Sequence, residues 1–315
     1  MNATSRTTDN GLAPHVALIV VQILFGTWPV VGKIVLRSMS SPSLVTCRVV
    51  GGAMALILIQ RKVAPLLRMP LKHFAWLTLC SMLGIVGNQF LFVKGLSLTT
   101  AINATLLGTT IPVFALFVSI LFRYDRLSLR RTFGILLSGA GVVYLVNPFS
   151  AELATTTTAG NIVIVCNSFL YGAYIAISKG LFQRYGALNV ITWIFIVGAV
   201  VAAPVGAYTL HRDHVERVGM TVWLALGFIV LFPTVGAYYL NAWALTKVAP
   251  STVAVYTYLQ PLIAFGLAPL ILGESWNSRT IAASLLIFAG VAVVTRRGRS
   301  IAVREITEHP DALSH

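Results

Sequence analysis

The chain has 315 residues, of which 57% are apolar and only 10% are charged, with a mean hydropathy of +0.84. This balance excludes an ordinary water-soluble globular protein, because too few polar residues remain to cover its surface. The net charge of +14 is divided among short loops and not gathered on one face, which excludes a nucleic-acid partner. We therefore expect the lipid bilayer to be the main solvent of the chain.

Apolar runs recur along the chain, and each is close to the roughly 20 residues that a helix needs to cross a bilayer. The first follows a short polar segment and has no cleavage pattern at its end, so we expect an uncleaved span. The sequence predicts an all-α integral membrane protein with ten transmembrane helices, at residues 14–35, 43–60, 74–93, 101–122, 129–146, 160–178, 187–208, 222–245, 251–272 and 280–295.

The second half of the chain repeats the first. Val86 to Val146 aligns without a gap on Val235 to Thr295, and 13 of the 61 aligned residues are identical. The identities include Pro112 with Pro261, and Asp125 aligns with another acid, Glu274. Nearer the start of each half the register shifts by three residues. That register pairs Gly26 with Gly172, Lys33 with Lys179 and Gly52 with Gly198. Duplication inside a membrane chain is typical of transporters.

Basic residues indicate how the spans are oriented, because loops kept in the cytoplasm collect Lys and Arg. With the N-terminus inside, 16 basic residues fall on the inner side and six on the outer side. Each half has five spans, an odd number, so we expect the second repeat to be inverted relative to the first. The predicted segments are a first repeat at 14–146, an external connector at 147–159, a second repeat at 160–297 and a cytoplasmic tail at 298–315.

Titratable residues are missing from the depth of the predicted spans. The nine acids and six histidines fall in loops, tails or at span edges, so no carboxylate proton relay is expected. Cys47, Cys80 and Cys166 lie in spans without CxxC spacing, so we expect no disulfide, metal or other cofactor. An enzyme embedded in the membrane needs a nucleophile with a base or a metal at depth, and the sequence offers neither. We therefore predict that the protein is not an enzyme.

Arg48 is the only charged residue well inside a predicted span. An arginine there costs a few kcal/mol unless it finds acceptors. Two interpretations stay open: a structural cap on a neighbouring helix, which we favour from the sequence, or an anion contact for a substrate carboxylate. Phosphorylated cargo is not expected, because a phosphate needs several cations.

Neutral polar and aromatic side chains are plentiful at depth. Buried amides in lipid need partners, so these residues are expected to face the interior of the bundle. Some will only join helices by hydrogen bonds. The candidate substrate-binding residues are Trp28, Asn88, Asn103, Asn167, Tyr171, Tyr174, Tyr238, Asn241, Tyr256 and Gln260. Pro112 and Pro261, at equivalent sites, are candidate kinks or hinges.

Several motifs resemble the EamA-type transporters of the drug/metabolite transporter superfamily. Phe25 to Lys33 is similar to that family's first-helix motif, although Phe25 replaces the usual Trp. Ala101 to Ala104, leading to Pro112 and an acid, is similar to its fourth helix, and Pro261 with Glu274 repeats that pattern. Arg48 sits where members commonly carry an arginine. The resemblance implies a ten-helix carrier with a central cavity that moves small metabolites, often outward.

From this resemblance and the neutral polar interior, we expect a carrier that exports amino acids or related neutral or zwitterionic compounds by alternating access. Import or exchange of similar metabolites is the alternative, and a non-transport role such as an embedded enzyme or scaffold is more remote. The expected partners are a small-molecule substrate and the lipid of the plasma (inner) membrane, with both termini cytoplasmic. The sequence does not indicate an oligomeric state.

Overall fold

The computed structural model describes residues 12–60, 69–122, 129–146, 156–215, 218–245, 256–257 and 259–295. All regular elements in these ranges are helical. The first half contains α1 (Ala13–Val35), α2 (Ser41–Gln60), α3 (Leu71–Ser81), α4 (Asn88–Leu98), α5 (Ala101–Gly108), α6 (Ile111–Leu121) and α7 (Leu129–Val146). The second contains α8 (Thr156–Tyr185), α9 (Ala187–Arg212), α10 (Met220–Ile229), α11 (Ala237–Leu245), α12 (Leu259–Leu272) and α13 (Ser278–Thr295).

Seven helical stretches are long and apolar enough to cross a membrane, at 13–35, 41–60, 71–98, 101–118, 156–178, 187–212 and 220–241. Three further apolar helices are shorter and lie at 132–145, 259–272 and 278–293. These three fall where the sequence predicts spans five, nine and ten. The described residues thus supply seven full-length spans, and the number ten stays a prediction.

Two spans contain a π-helical turn, in which each backbone bond reaches one residue further than in an α-helix. The first, π1 (Met82–Gly87), joins α3 to α4, and the second, π2 (Val230–Gly236), joins α10 to α11. In the register that aligns Val86 with Val235, these two segments overlap. The unusual backbone is therefore a property of the repeated unit. Such π turns occur frequently at functional sites.

The two copies pack on each other reciprocally. Helix α1 packs on α12, and its counterpart α8 packs on α6; α2 packs on π2, and its counterpart α9 packs on π1. Helices α2 and α9 also pack on each other, as do α7 and α13. An added Cβ on Gly141 would lie 3.0 Å from the Ile287 nitrogen, and one on Gly290 would clash with the Ser138 nitrogen. Exchanged contacts of this kind are what a two-fold relation between the copies requires.

Two carboxylates of the second copy cap helices of the first copy. Glu274 accepts hydrogen bonds from the backbone N–H groups of Ala101 at 2.8 Å and Ile102 at 3.2 Å, at the start of α5. Asp213 accepts one from the backbone N–H of Ser40 at 2.7 Å, just before α2. The first N–H groups of a helix have no partner within the helix and favour a negative charge. Both acids therefore join the two copies at one end of the bundle.

Candidate functional site

Arg48 occupies the centre of the contact between the two copies. It lies seven residues into α2, about 10 Å along the helix, and only 3% of its side chain is exposed. Its Nε donates a hydrogen bond to Thr234 Oγ1 at 2.7 Å, and its Nη1 donates one to Gln89 Oε1 at 2.6 Å. The guanidinium thus connects α2 with the first copy's α4 and with π2 of the second copy.

The two π segments place the acceptors of these hydrogen bonds. Gln89 follows π1 by two residues, and Thr234 lies within π2. The Thr234 hydroxyl donates its single proton to the Ile229 carbonyl at 2.9 Å. Its lone pairs are therefore left to accept from Arg48, because a hydroxyl has only one proton to donate. The π turns position both partners of the arginine.

Aromatic rings complete the surroundings of Arg48. Its guanidinium carbon lies 4.1 Å from the centre of the Trp28 ring, within the range of a cation–π interaction. The Tyr238 hydroxyl lies within hydrogen-bonding reach of Tyr171 and of Gln89, the amide that accepts from Arg48. The Trp28 ring stacks on Phe92, with 6.1 Å between ring centres. We call Arg48, Trp28, Gln89, Tyr171, Thr234 and Tyr238 the Arg48 cluster.

Within the described part of the chain, Arg48 is paired with no carboxylate. The described acids are Asp213 and Glu274, and both accept hydrogen bonds at helix starts. Its hydrogen-bond acceptors, Thr234 and Gln89, are neutral. The position equivalent to Arg48 in the second copy is Ile194, so the centre carries one cation and not a symmetric pair.

Of the candidate residues predicted from the sequence, the structure brings Trp28, Tyr171 and Tyr238 together in the Arg48 cluster. Tyr174 lies beside it, with its ring centre 5.5 Å from that of Tyr171. The Tyr174 ring packs directly on Gly84, where an added Cβ would lie 2.6 Å from it. Tyr171 and Tyr174 therefore form an aromatic wall on α8 beside the arginine.

The predicted amides lie in separate helix contacts. The Asn167 side chain donates a hydrogen bond to the Asn88 carbonyl at 2.6 Å, which joins α8 to α4. Asn103 lies at the start of α5, where its Nδ2 donates to Thr99 Oγ1 at 3.4 Å. The Gln260 Nε2 donates to Gln22 Oε1 at 2.6 Å, joining α12 to α1. Asn167 and Gln260 thus connect pairs of helices, Asn103 makes a local contact, and none of the three is in the Arg48 cluster.

Two other candidate residues lie in the second copy. The Tyr256 hydroxyl hydrogen-bonds His15 Nδ1 at 2.8 Å, and Asn241 is half-buried on α11. Near that helix, a cleft of about 330 Å³ is lined by Gln60, Tyr239, Trp243 and residues 186–189. The Gln60 side chain hydrogen-bonds Asn189 across it. By the predicted topology, this cleft faces the cytoplasm.

The two candidate prolines lie near the starts of α6 and α12. Helix α5 ends at Gly108, a two-residue break follows, and Pro112 is the second residue of α6. Pro261 is the third residue of α12. The Thr109 and Thr110 hydroxyls donate to the carbonyls of residues 106 and 107, each at 2.6 Å. The backbone N–H groups of residues 109 and 110 donate to the same two carbonyls at 3.1 Å, so the threonine hydroxyls add a second hydrogen bond to each.

Thr234 was not among the residues selected from the sequence. It is one threonine in an apolar run, beside Pro233, and its counterpart in the first copy is Ile85. Gln22, the partner of Gln260, was also missed. A buried amide at depth is a detectable signal, but its partner depends on how α1 packs on α12. The contact between these helices could not be read from the chain alone.

The fold and site define a class of protein: a multi-pass membrane protein built from two copies of one helical unit, with a buried polar centre between them. Residues 13–147 and 158–296 each match the EamA-like transporter family. The chain belongs to this family of transporters.

The curated relatives agree with this class. An uncharacterized transporter of Archaeoglobus fulgidus is 27% identical over 226 residues, which cover 71% of this chain and 76% of the relative. A WAT1-related protein of Arabidopsis thaliana is 23% identical, covering 95% of this chain and 86% of the relative. A probable terminal-alkyne amino-acid exporter of Streptantibioticus cattleyicolor is 25% identical, covering 70% and 73%. Two of these three names are those of transporters.

One solved crystal structure has a similar fold. It superimposes with a TM-score of 0.61 at 21% sequence identity, and the match covers 90% of this chain and 97% of the other. At this identity the likeness describes the fold alone.

Proposed function

We propose that this protein is a secondary carrier that exports amino acids or related zwitterionic metabolites across the plasma membrane by alternating access. The observation that carries the proposal is the Arg48 cluster, a buried polar centre to which both copies contribute side chains. Carriers built from inverted repeats hold their cargo at such an interface near the midplane. The copies are inverted in this proposal, with both termini in the cytoplasm and ten spans in all.

Two further observations support amino acids as cargo. The cluster offers one cation together with hydroxyl, amide and aromatic groups, which suit a small molecule bearing one carboxylate and an apolar part. The relative from Streptantibioticus cattleyicolor is named a probable amino-acid exporter. Import or exchange of the same compounds is the second candidate, because the binding centre is the same for either direction.

The test uses the full-length protein reconstituted in liposomes. Vesicles loaded with an unlabelled amino acid should take up the same labelled amino acid by counterflow, whereas vesicles loaded with a nucleoside or a sugar should not. Uptake driven by nucleosides and not by any amino acid would contradict the proposal. Direction is tested separately in cells, where export lowers and import raises the intracellular level of the cargo.

Two variants test whether residues outside the Arg48 cluster take part in transport, one in the aromatic wall and one in the Gln22–Gln260 pair. Tyr174→Ala should lower counterflow while the protein still inserts, because the wall beside Arg48 loses a ring of contact area. Gln260→Ala removes a hydrogen bond worth about 1 kcal/mol and was also predicted from the sequence to bind cargo. Normal counterflow by Tyr174→Ala would show that the aromatic wall does not contact the cargo. Normal counterflow by Gln260→Ala would show that the Gln22–Gln260 pair serves only to join α1 and α12.

A further inference from the structure

Arg48 carries a buried positive charge that faces no negative charge among the described residues, and this feature of the Arg48 cluster needs explanation. A guanidinium cannot be deprotonated in proteins, so the positive charge stays at depth in the bundle. Thr234, Gln89 and the Trp28 ring each interact with it, but all three are neutral. Charged side chains inside membranes usually pair with one another or mark a substrate pathway. No such pair exists for Arg48 among the described residues.

The guanidinium keeps donors that its protein partners do not use. Arginine has five N–H donors in a planar fork, and the hydrogen bonds to Thr234 and Gln89 use two of them. The remaining donors have no hydrogen-bond partner in the part of the chain that the structure describes. A carboxylate takes two parallel N–H groups from one guanidinium. Thr234 and Gln89 meanwhile fix the plane of the fork, so the unused donors keep one direction.

The walls around the fork restrict what else the anion can carry. Trp28 covers one face of the guanidinium, and the Tyr238 hydroxyl, within hydrogen-bonding reach of Tyr171, lies against the acceptor Gln89. Rings of this kind accept an apolar or aromatic group and hydrogen-bond a polar one. A second cation is absent from the cluster, so a doubly charged phosphate would be poorly neutralised there.

We infer that Arg48 binds the carboxylate of the cargo and restricts this carrier to small monocarboxylates with an apolar or aromatic remainder, amino acids among them. The inference deepens the proposed transport function and rests on it. It replaces the structural role that the sequence alone favours for Arg48: the hydrogen bonds to Thr234 and Gln89 now serve to orient the fork. In this arrangement Thr234 and Gln89 are positioning residues, and Arg48 contacts the cargo.

The first experiment keeps the protein unchanged and varies the ligand. Purified full-length protein is melted with each of the twenty amino acids, their amides and their deaminated acids, including L-leucine, leucinamide and 4-methylpentanoate. Acids that bind should raise the melting temperature, and their amides should bind about 10- to 100-fold more weakly, since hydrogen bonds to a charged group are lost. Equal stabilisation by acid and amide, or stabilisation by no carboxylate, would overturn the inference.

The second experiment changes the arginine. Arg48→Gln should abolish the preference for acid over amide, and Arg48→Lys should restore part of it, because a lysine keeps the charge but lacks the planar fork. Arg184→Gln, at an exposed position on α8, is the matched control and should keep the full preference. An Arg48→Gln protein that folds and still prefers the acid contradicts the inference. If that variant does not fold, the comparison of acid and amide on the unchanged protein decides.

The outcomes separate this inference from the proposed function. If amino acids and their amides are transported equally well, the role of Arg48 is refuted, but amino-acid transport is not. Deaminated acids that bind through Arg48, with no amino acid transported, would support the role of Arg48 and refute the proposed cargo.

Discussion

Gly26 and Gly172 make the same contact in the two copies of the repeat. An added Cβ on Gly26 would lie 2.8 Å from the Gln260 carbonyl oxygen and 2.8 Å from Ile263 Cβ. One on Gly172 would lie 2.9 Å from the Ile111 carbonyl oxygen and 2.8 Å from the Cβ of residue 114. The partners are themselves equivalent, since residues 111 and 114 align with 260 and 263. Each copy therefore presents one glycine through which its first span approaches the other copy's fourth span.

This close approach predicts a large difference between two glycines of the same helix. Gly172→Ala should destabilise the protein by about 1–3 kcal/mol, since the added methyl group meets backbone atoms and overpacks the contact. Gly180→Ala, also on α8, has open space around its Cβ position and should be neutral or slightly stabilising, by about 0.5–1 kcal/mol. Melting temperatures in one detergent compare the two. Equal effects would show that α8 and α6 are not in close contact.

Asp213 should make stability depend on pH. Partial burial raises the pKa of its carboxyl, but hydrogen bonds from Ser43 and Ser40 and the nearby charge of Arg212 together hold it below its usual value. The ionised cap thus stabilises the folded state above the ordinary aspartate pKa of about 3.9. That contribution is lost as the pH falls through the lower, folded-state pKa.

The measurement is the difference in melting temperature between the unchanged protein and Asp213→Asn as the pH is lowered from neutral. The difference should stay constant above about pH 5 and shrink below about pH 4. Ser43→Ala should move the loss to higher pH, because one hydrogen bond to the ionised form is gone. A difference that grows on acidification would contradict this account.

Thr234 should tolerate a change of size better than a loss of its hydroxyl. Thr234→Ser keeps an oxygen that accepts from Arg48 and donates to Ile229. Thr234→Val keeps the shape but leaves the buried Nε of Arg48 without its acceptor, which costs about 1–3 kcal/mol. Thermal unfolding should therefore rank the serine variant above the valine variant. The reverse order would mean that packing at this position matters more than the hydrogen bond.

Inversion of the two copies predicts labelling from opposite sides of the membrane. Leu127 and Trp276 occupy equivalent positions in the repeat; Leu127 lies outside the described residues, and Trp276 is 57% exposed. In a background without Cys47, Cys80 and Cys166, a membrane-impermeant maleimide applied to intact cells should label Trp276→Cys. Leu127→Cys should react only after permeabilisation. Labelling of both from outside would refute the inverted arrangement.

The position of the acids predicts how transport is driven. The sequence places all nine acids outside the predicted spans, and the described ones, Asp213 and Glu274, hold helix starts. Exchange of amino acids in liposomes should therefore continue when pH and sodium gradients are abolished, because no buried carboxylate carries a proton. Proton flux in fixed ratio to cargo would show that another group titrates during transport.

The sequence predicted the parts of the fold that follow from periodicity and duplication. Apolar runs place the helices, and the register of the repeat pairs Gly26 with Gly172 before any contact is known; no pattern in the sequence predicted the π turns. The sequence could not predict which polar residues contact one another. Arg48 and Thr234 are 186 residues apart, and their hydrogen bond depends on the crossing of α2 with π2. The amides Asn167 and Gln260 looked equivalent to Tyr171 in the sequence, yet they bond in other helix contacts.

Arg48 and Ile194 occupy equivalent positions in the two copies but differ in chemistry, which bears on how such a carrier diverges after duplication. Positions whose chemistry agrees in the two copies, such as Gly26 with Gly172, preserve the shape of the passage. Other positions differ, with a cation in one copy and an aliphatic side chain in the other. Such a position can be substituted in one copy without affecting the equivalent position. In the proposed inverted arrangement, the backbone along the route is nearly the same from either side of the membrane, whereas the side chains along it differ. If Arg48 holds the carboxylate as proposed, the cargo keeps the same end toward α2 from whichever side it enters.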